Sequence, residues 1–262
     1  ELGLLGNRTS NFIEGGEANL GFSVSKSLIE SYLCKCGKPI SLCKEHYLGD
    51  DSIQSELLNR DPRLTQTVCY PGKDLQRETL KPSIPGSNIA TGVIPTGYQI
   101  IKYWVDDREE YLRYQNGILD APIFRYAETL LIYAEAAAEL ASLGETKYVS
   151  DGLTYLNDVR DRAGVEDAPA LTVKAVREEM QVEFMYENHR FWDLKRWREA
   201  DKMMNSVKMK GLYPYYVANT KKWIFKKTEV GNAHDFKPYM YYIRINDEQI
   251  NLNPNIVQNP GY

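Results

Sequence analysis

Three glutamates in the second half of the chain have a spacing that places them on one face of a helix. Glu179, Glu183 and Glu187 recur at i, i+4 and i+8. Two carboxyl groups held across a cleft are the acid and base of a glycoside hydrolase. Neighbours on one helix face point the same way, and arginines that can neutralise them are close in sequence: Arg177, Arg190 and Arg196. We therefore predict structural ion pairs between the third and fourth long helices, with hydrolysis as the alternative.

The cysteines are the second group whose residue types can do chemistry. Cys34, Cys36, Cys43 and His46 fall within one short segment, and Cys69 follows later. Zinc sites usually contain cysteine pairs separated by two to four residues. Only one residue separates Cys34 from Cys36, and no second pair follows, so we expect small buried thiols rather than a metal site. A disulfide remains open if the protein is exported.

The usual catalytic signatures are absent from the sequence. It contains no phosphate-binding G-x-x-x-x-G-K-[ST] loop, no H-E-x-x-H, no G-x-S-x-G and no G-x-G-x-x-G. There are only 3 histidines: His46, His189 and His234. We therefore predict no catalytic residue, no metal and no cofactor.

Residues 121–205 carry the strongest helical periodicity and form the predicted helical core. Their apolar residues recur at three-to-four spacing, which is typical of amphipathic helices. Four helices are expected: one from Pro122 to before Gly144, one ending at Gly164, one after an N-cap at Thr172, and one from His189 to about Met204.

The flanking regions are less regular. Residues 1–120 form a loop-rich segment, and residues 206–262 an irregular C-terminal segment. Within them the pattern predicts short helices at 25–33 and 50–59, strands at 63–69 and 98–105, and an extended run at 239–245.

Composition excludes two classes of protein. The 262 residues are 43% hydrophobic and 26% charged, with a formal net charge of −4, so no broad cationic surface for nucleic acid is expected. No apolar run approaches the length of a membrane span, because the most apolar stretch, 130–140, contains Glu135 and Glu139.

Several ordered motifs resemble those of the SusD/RagB family. The run 124–136 (FRYAETLLIYAEA), the NDVRDRAG element at 157–164 and the stretch 179–197 ending in RFWDLKRW all match its pattern. The ending 251–262 (NLNPNIVQNPGY) matches the usual C-terminus of that family, and residues 28–40 and 59–64 also fit.

The resemblance implies a mostly α-helical fold of tetratricopeptide-like helix pairs, with long irregular loops and a few short strands. Family members are much longer, so residues 1–262 are expected to be the C-terminal part of a single SusD-like domain. The lipid-bearing N-terminal cysteine of the family is then not among the four cysteines here, and the missing half contributes part of the binding surface.

The function implied by the resemblance is non-catalytic. Such proteins are lipid-anchored at the cell surface in the outer membrane, partner a SusC-like TonB-dependent transporter, and capture glycans or sometimes peptides. Membrane contact is expected only through the lipid anchor absent from this chain, and no nucleic acid is expected. A helical-repeat scaffold that binds only protein is a further alternative.

Sugar rings pack on aromatic faces, so aromatic residues in irregular segments are the candidate ligand-binding residues. The first choice is the set beside and after the Pro- and Gly-rich segment 71–97: Tyr70, Tyr98, Tyr103 and Trp104. The second choice is the set Tyr213, Tyr215, Tyr216 and Trp223.

Overall fold

The protein is mostly α-helical, with a few short strands, as expected. The computed structural model describes residues 24–69, 74–75, 78–79, 96–102, 122–220 and 222–262. Its α-helices are α1 Lys26–Ser31, α2 Ile53–Leu57, α3 Pro62–Thr67, α4 Tyr126–Ser142, α5 Val149–Ala163, α6 Val173–Glu183, α7 Arg190–Arg196, α8 Ala200–Met204 and α9 Asp247–Leu252. Its strands are β1 Val68–Cys69, β2 Asp74–Leu75, β3 Glu78–Thr79, β4 Gln99–Ile100, β5 Met209–Val217 and β6 Lys222–Val230.

Helices α4, α5 and α6 form the predicted core, with α4 packed against both of the others. Small residues allow α4 and α5 to approach closely: a Cβ added to Gly152 would lie 2.8 Å from Cβ of Ala137. Apolar burial is the main favourable contribution to this packing. The side chains that supply it are fully or almost fully buried: Leu131, Ala134, Leu156, Val159, Val176 and Met180.

The end signals of these helices act as expected. Gly164 closes α5 in the left-handed region, at φ 72°, which glycine adopts without the strain of a Cβ atom. The hydroxyl of Thr172 accepts a hydrogen bond from the backbone N–H of Ala175, 3.1 Å away, at the start of α6. Helix α4 begins at Tyr126, with Arg125 as its N-cap, and so starts later than the predicted Pro122.

Two predicted elements are different in the structure. The alternating run 63–69 is helical up to Thr67, and only Val68–Cys69 is a strand. Asp61 caps this helix by accepting from the N–H of Arg63, and Pro62 suits the first helical position. The predicted extended run at 239–245 begins instead within a 3-10 helix, Pro238–Tyr241.

The fourth predicted helix is interrupted. It consists of α7 and α8, and Arg198 between them has φ 58°, which no continuous helix accommodates. The predicted helix runs from His189 to about Met204, and α7 ends near the middle of that range, at Arg196.

The C-terminal segment is more regular than its sequence indicated. Strands β5 and β6 form an antiparallel hairpin in register from Met209↔Val230 to Val217↔Lys222. Gly211 lies directly against the backbone of Thr96, where an added Cβ would collide. The N–H of Leu212 donates to the carbonyl oxygen of Thr96 at 2.8 Å, so the hairpin is fixed to the chain N-terminal to α4.

The chain divides into two compact units. The first runs to Glu183 and includes the hairpin residues Met209–Val230. The second comprises Phe184–Lys208 and Gly231–Tyr262, and its own core contains Leu194, Ala200 and Phe236. Among the described residues, no helix combines the length and the apolar character that crossing a bilayer requires.

Candidate functional site

Glu183, the last residue of α6, binds three guanidinium groups. Its Oε2 accepts from Nη1 of Arg63 at 2.7 Å, and its Oε1 accepts from Arg125 and Arg162, each at 2.5 Å. The glutamate is 4% exposed. Charge-assisted hydrogen bonds of this kind are the strong ones in proteins, and they use both carboxylate oxygens of Glu183.

The neighbouring charges complete a balanced cluster. Nη1 of Arg63 also lies 2.6 Å from Oε1 of Glu179, one turn earlier in α6. The same guanidinium binds Asp61 through Nη2 at 2.7 Å. We call this group the Glu183 cluster: three carboxylates, Asp61, Glu179 and Glu183, and three guanidinium groups, Arg63, Arg125 and Arg162.

The cluster separates the pKa values of its two glutamates. Burial disfavours the charged form of Glu183, but hydrogen bonds from Arg125 and Arg63 outweigh burial, so the pKa of Glu183 is lowered. For Glu179 burial dominates over the attraction of Arg63, and the pKa is raised. Glu183 is therefore held as a carboxylate that donors surround, a poor arrangement for a base that must reach a substrate.

Ion pairs of Glu183 link α6 to three earlier parts of the chain. They connect α6 to Arg63 in α3, to Arg125 at the start of α4 and to Arg162 in α5. Glu187 follows the end of α6 and does not share the helix face with Glu183. The structure therefore replaces the predicted row of three glutamates with two.

Two further arginines close in sequence to the glutamates form ion pairs of their own. Arg177 donates to Glu139 at 2.8 Å, and so links α6 to α4. Arg196 donates to Asp193 at 2.8 Å within α7.

Tyr98, one of the four predicted ligand-binding residues, lies inside the first unit. It is 0% exposed, and its hydroxyl donates to Glu56, a buried carboxylate that also pairs with Lys26. Burial and the charge of Glu56 both raise the pKa of Tyr98. Its ring face is covered by protein, which favours a structural role. The other three, Tyr70, Tyr103 and Trp104, lie outside the described residues.

The hairpin presents aromatic rings at the surface. Successive side chains of a strand point to opposite faces, so Tyr213 and Tyr215 share one face of β5 while the buried Leu212 lies on the other. The ring centroids of Tyr213 and Tyr215 are 5.2 Å apart, with the planes tilted by 59°. Tyr215 is 43% exposed and lies opposite the exposed Ile224 of β6. We call this surface the tyrosine face.

The tyrosine face includes half of the second predicted aromatic set. For Tyr216 and Trp223 the structure describes the backbone alone, at paired positions of β5 and β6. The sequence identified Tyr213 and Tyr215 as aromatic residues in an irregular segment. Their arrangement on one face of a regular strand was not predicted, because Pro214 and Gly211 interrupt the β-pattern.

The second unit has an exposed aromatic pair of its own. The rings of Phe191 and Trp192 are 5.3 Å apart, and the ammonium of Lys195 lies 5.4 Å from the centroid of each. Trp197 is partly buried against the core of this unit. Trp192 and Trp197 thus lie at the rim and at the edge of the core of the second unit.

A cavity of about 480 Å³ opens in the first unit. Arg160, Glu166, Glu178 and Lys38 contribute charged groups to its lining, and Cys36 lies at its wall. None of the described residues that line it is aromatic. The cavity therefore offers charge and hydrogen bonding but no ring on which a sugar can stack.

Two groups of side chains in the described part of the chain have the donors that a metal ion needs. One consists of Cys36, Cys43 and His46, and the other of Glu30, Asp50 and Glu56. The acidic group already surrounds the ammonium of Lys26, which lies 3.0 Å from Oδ2 of Asp50 and 3.4 Å from Glu30. Lys26 therefore supplies the positive charge there.

Comparisons with known proteins agree with this fold. The chain is 34% identical over 104 residues to a SusD-like protein of Bacteroides ovatus, an alignment covering 38% of this chain and 18% of that protein. Its fold is similar to that of a SusD-like protein of Bacteroides fragilis, with a TM-score of 0.66 and 21% identity over 92% of this chain and 47% of the other.

A SusD-like carbohydrate-binding protein of Bacteroides fragilis is also similar. The TM-score is 0.64 and the identity 25%, over 89% of this chain and 48% of that one. The chain thus spans about half the length of these solved structures. The model of the SusD family matches residues 5–262, nearly the whole chain, and the chain belongs to the SusD family.

Proposed function

We propose that this chain is part of a non-catalytic glycan-binding subunit of an outer-membrane nutrient-uptake complex. The match of the SusD family model across residues 5–262 carries this proposal, and the similarity to a SusD-like carbohydrate-binding protein supports it. A SusC-like TonB-dependent transporter is the proposed partner. The proposed location is the cell surface of the outer membrane, with a lipid anchor on the longer protein.

The tyrosine face is the described surface that best suits a sugar. Pyranose rings present C–H groups that pack on aromatic faces, while tyrosine hydroxyls bind at the edge. Tyr213 and Tyr215 offer two neighbouring rings, and Lys226, opposite Tyr213, adds a donor. Tyr70, Tyr103 and Trp104 remain proposed contributors from the loop-rich segment.

The Glu183 cluster supports a binding role over a hydrolytic one. A glycoside hydrolase needs one carboxyl group that protonates the leaving oxygen and another that faces the anomeric carbon. Glu183 is covered by three guanidinium groups, and Glu179 is also buried. The carboxylate oxygens of Glu183 are thus occupied by arginine donors, and Glu179, which lines the 480 Å³ cavity, is paired with Arg63.

A panel of soluble α-glucans, β-glucans and mannans tests the proposal on the 262-residue chain and on the full-length protein. Thermal unfolding and calorimetric titration are the readouts, because a ligand selective for the native state raises the Tm. Tyr215→Ala should weaken binding. Tyr126→Ala removes a tyrosine that is 75% exposed on α4 and should bind as the parent does.

Two outcomes would contradict the proposal. Hydrolysis of a panel polysaccharide that Glu183→Gln abolishes would establish the enzyme alternative. Absence of any Tm shift with the full-length protein and every glycan would favour a scaffold that binds only protein.

A further inference from the structure

Cys36, Cys43 and His46 bring three metal-ligating atoms to one point. Their two sulfurs and one imidazole nitrogen all lie within 4.8 Å of one another. The Sγ atoms of Cys36 and Cys43 are 3.3 Å apart, and Sγ of Cys43 is 3.6 Å from Nδ1 of His46. These three residues have the spacing C-x6-C-x2-H. They do not include Cys34, whose separation from Cys36 by a single residue argued against zinc in the sequence.

These distances are close to those of a tetrahedral zinc site. Zn–S bonds of about 2.3 Å and Zn–N bonds of about 2.0–2.1 Å place two sulfurs about 3.8 Å apart and a sulfur about 3.5 Å from a nitrogen. The Cys43–His46 distance of 3.6 Å matches the second value. A small outward movement of the Cys36 sulfur would lengthen its 3.3 Å distance from the Cys43 sulfur to the about 3.8 Å expected of two sulfurs bound to one zinc ion.

The backbone around the cluster is fixed by bonds outside it. Gly37, at φ 70°, closes a turn in which its N–H donates to the carbonyl oxygen of Cys34 at 2.8 Å. The N–H of Lys35 donates to the carbonyl oxygen of Asn59 at 2.9 Å, and the amide of Asn59 donates to the carbonyl oxygen of His46 at 3.3 Å. The ligands are therefore positioned by the fold, which lowers the ordering cost of binding an ion.

Neither apolar packing nor a disulfide bond accounts as well for the arrangement. Thiols kept for apolar packing belong in the core, but Cys36 is only half-buried, and an imidazole shares the point where the sulfurs meet. A Cys36–Cys43 disulfide bond would leave unexplained why Nδ1 of His46 lies 3.6 Å from the Cys43 sulfur.

We propose that Cys36, Cys43 and His46 bind one zinc ion. The thiol of Cys34 hydrogen-bonds to that of Cys43 and so lies beside the site. Two sulfurs and an imidazole suit zinc better than the hard cations calcium and magnesium, which prefer oxygen. Cys36 also lies at the wall of the 480 Å³ cavity. The ion joins the turn at Gly37 to the segment that ends at His46.

Metal content measures the proposal directly. The 262-residue chain is purified with a phosphine reductant, which does not compete for zinc, and then equilibrated with zinc and with cobalt(II) as a spectroscopic probe. About one zinc per chain is expected, and cobalt(II) should show the intense d–d bands of a tetrahedral site and a thiolate charge-transfer band. Zinc should protect Cys36 and Cys43 of the parent chain from alkylation, which mass mapping of the peptides detects.

Ligand variants and one matched thiol control complete the test. Cys43→Ser and His46→Asn should weaken zinc binding by more than the about 10–100-fold that loss of an outer-shell partner causes. Cys69→Ser removes a different thiol and should bind zinc as the parent does. Far-UV circular dichroism shows whether each variant folds, and the alkylation test on the parent needs no variant.

Three results would overturn the proposal. The first is an absence of bound zinc and of protection in the parent chain. The second is unchanged affinity in folded Cys43→Ser and His46→Asn. The third is a Cys36–Cys43 disulfide in the protein isolated without reductant.

Discussion

The Glu183 cluster and the tyrosine face lie in the same compact unit and use their polar and aromatic groups in opposite ways. In the cluster every named carboxylate is buried or nearly so, and each has a guanidinium partner. On the tyrosine face the rings of Tyr213 and Tyr215 touch each other and are partly open to solvent. Charges neutralise one another away from solvent in the Glu183 cluster, whereas ring surface is exposed on the tyrosine face.

This contrast explains what the family-like motifs do. Arg63, Arg125, Arg162 and Glu183 come from four separate motifs of the sequence, and the fold brings them into one cluster. A buried ion pair contributes little net stability, yet loss of one partner leaves an uncompensated charge. These motif side chains therefore bind one another, and the loss of any one of them is expected to cost stability.

The largest expected effect comes from removing the central carboxylate. Glu183→Gln leaves three guanidinium groups around a neutral amide and should lower the free energy of unfolding by about 3–5 kcal/mol. Urea unfolding measures this loss. Glycan affinity of the molecules that remain folded should not change. Glu178→Gln, on the exposed side of the same helix, is the control and should be nearly neutral.

The stability cost of Glu183→Gln should also depend on pH. Folding lowers the pKa of Glu183, so its contribution is complete above the pKa of an unfolded glutamate, about 4.3, and is lost as the pH falls through the lowered folded value. The stability difference between the parent and Glu183→Gln should therefore narrow below about pH 4. A stability difference between parent and variant that widens as the pH falls would show that folding does not lower the pKa of Glu183.

Tyr98 is a predicted ligand-binding residue that is fully buried, so a variant can distinguish a structural role from a binding role. Tyr98→Phe removes the hydroxyl that donates to buried Glu56 and should cost about 1–3 kcal/mol of stability. Urea unfolding measures this cost, and glycan affinity should stay at the parental value. Weaker binding with unchanged stability would instead return Tyr98 to the ligand site.

A substitution on the tyrosine face should change glycan affinity and leave stability nearly unchanged. Tyr215→Ala should weaken glycan binding by about 1 kcal/mol, roughly fivefold in Kd, because one stacking ring is lost. The Tm should change little, since the ring is 43% exposed. A large drop in Tm without any change in Kd would mean that this face also serves packing.

The smallest effect is expected at the rim of the hairpin. Lys227 in β6 lies 2.7 Å from Asp50, and its side chain is largely exposed. Lys227→Ala should cost about 0.2–1 kcal/mol, and added salt should reduce that cost. Thermal unfolding at low and high ionic strength measures both.

The helical core could be predicted well because its signals are local. Apolar spacing, the N-cap at Thr172 and the closing Gly164 act within a few residues, and all three have the expected effect. The partners of Glu183 could not be found in this way. Arg63 is 120 residues away from it in the chain, and only the packing of α3 against α6 brings them together.

The hairpin and the cysteine arrangement were missed for a related reason. Pro214 and Gly211 weakened the β-pattern of β5, although Gly211 is there because Thr96 passes against it. The cysteine segment was assessed by its closest pair, Cys34 and Cys36. The structure instead brings Cys36 to Cys43 through turns whose geometry is fixed by residues around Asn59.

We propose that buried charges hold the fold while exposed rings bind the ligand. The ligand-induced Tm shift distinguishes these two roles when it is measured in parallel for Glu183→Gln and Tyr215→Ala, with one oligosaccharide that binds the parent. We expect a lower starting Tm but a parental shift for Glu183→Gln, and a parental starting Tm with a reduced shift for Tyr215→Ala. A shift lost in Glu183→Gln and kept in Tyr215→Ala would show that the two roles are assigned wrongly.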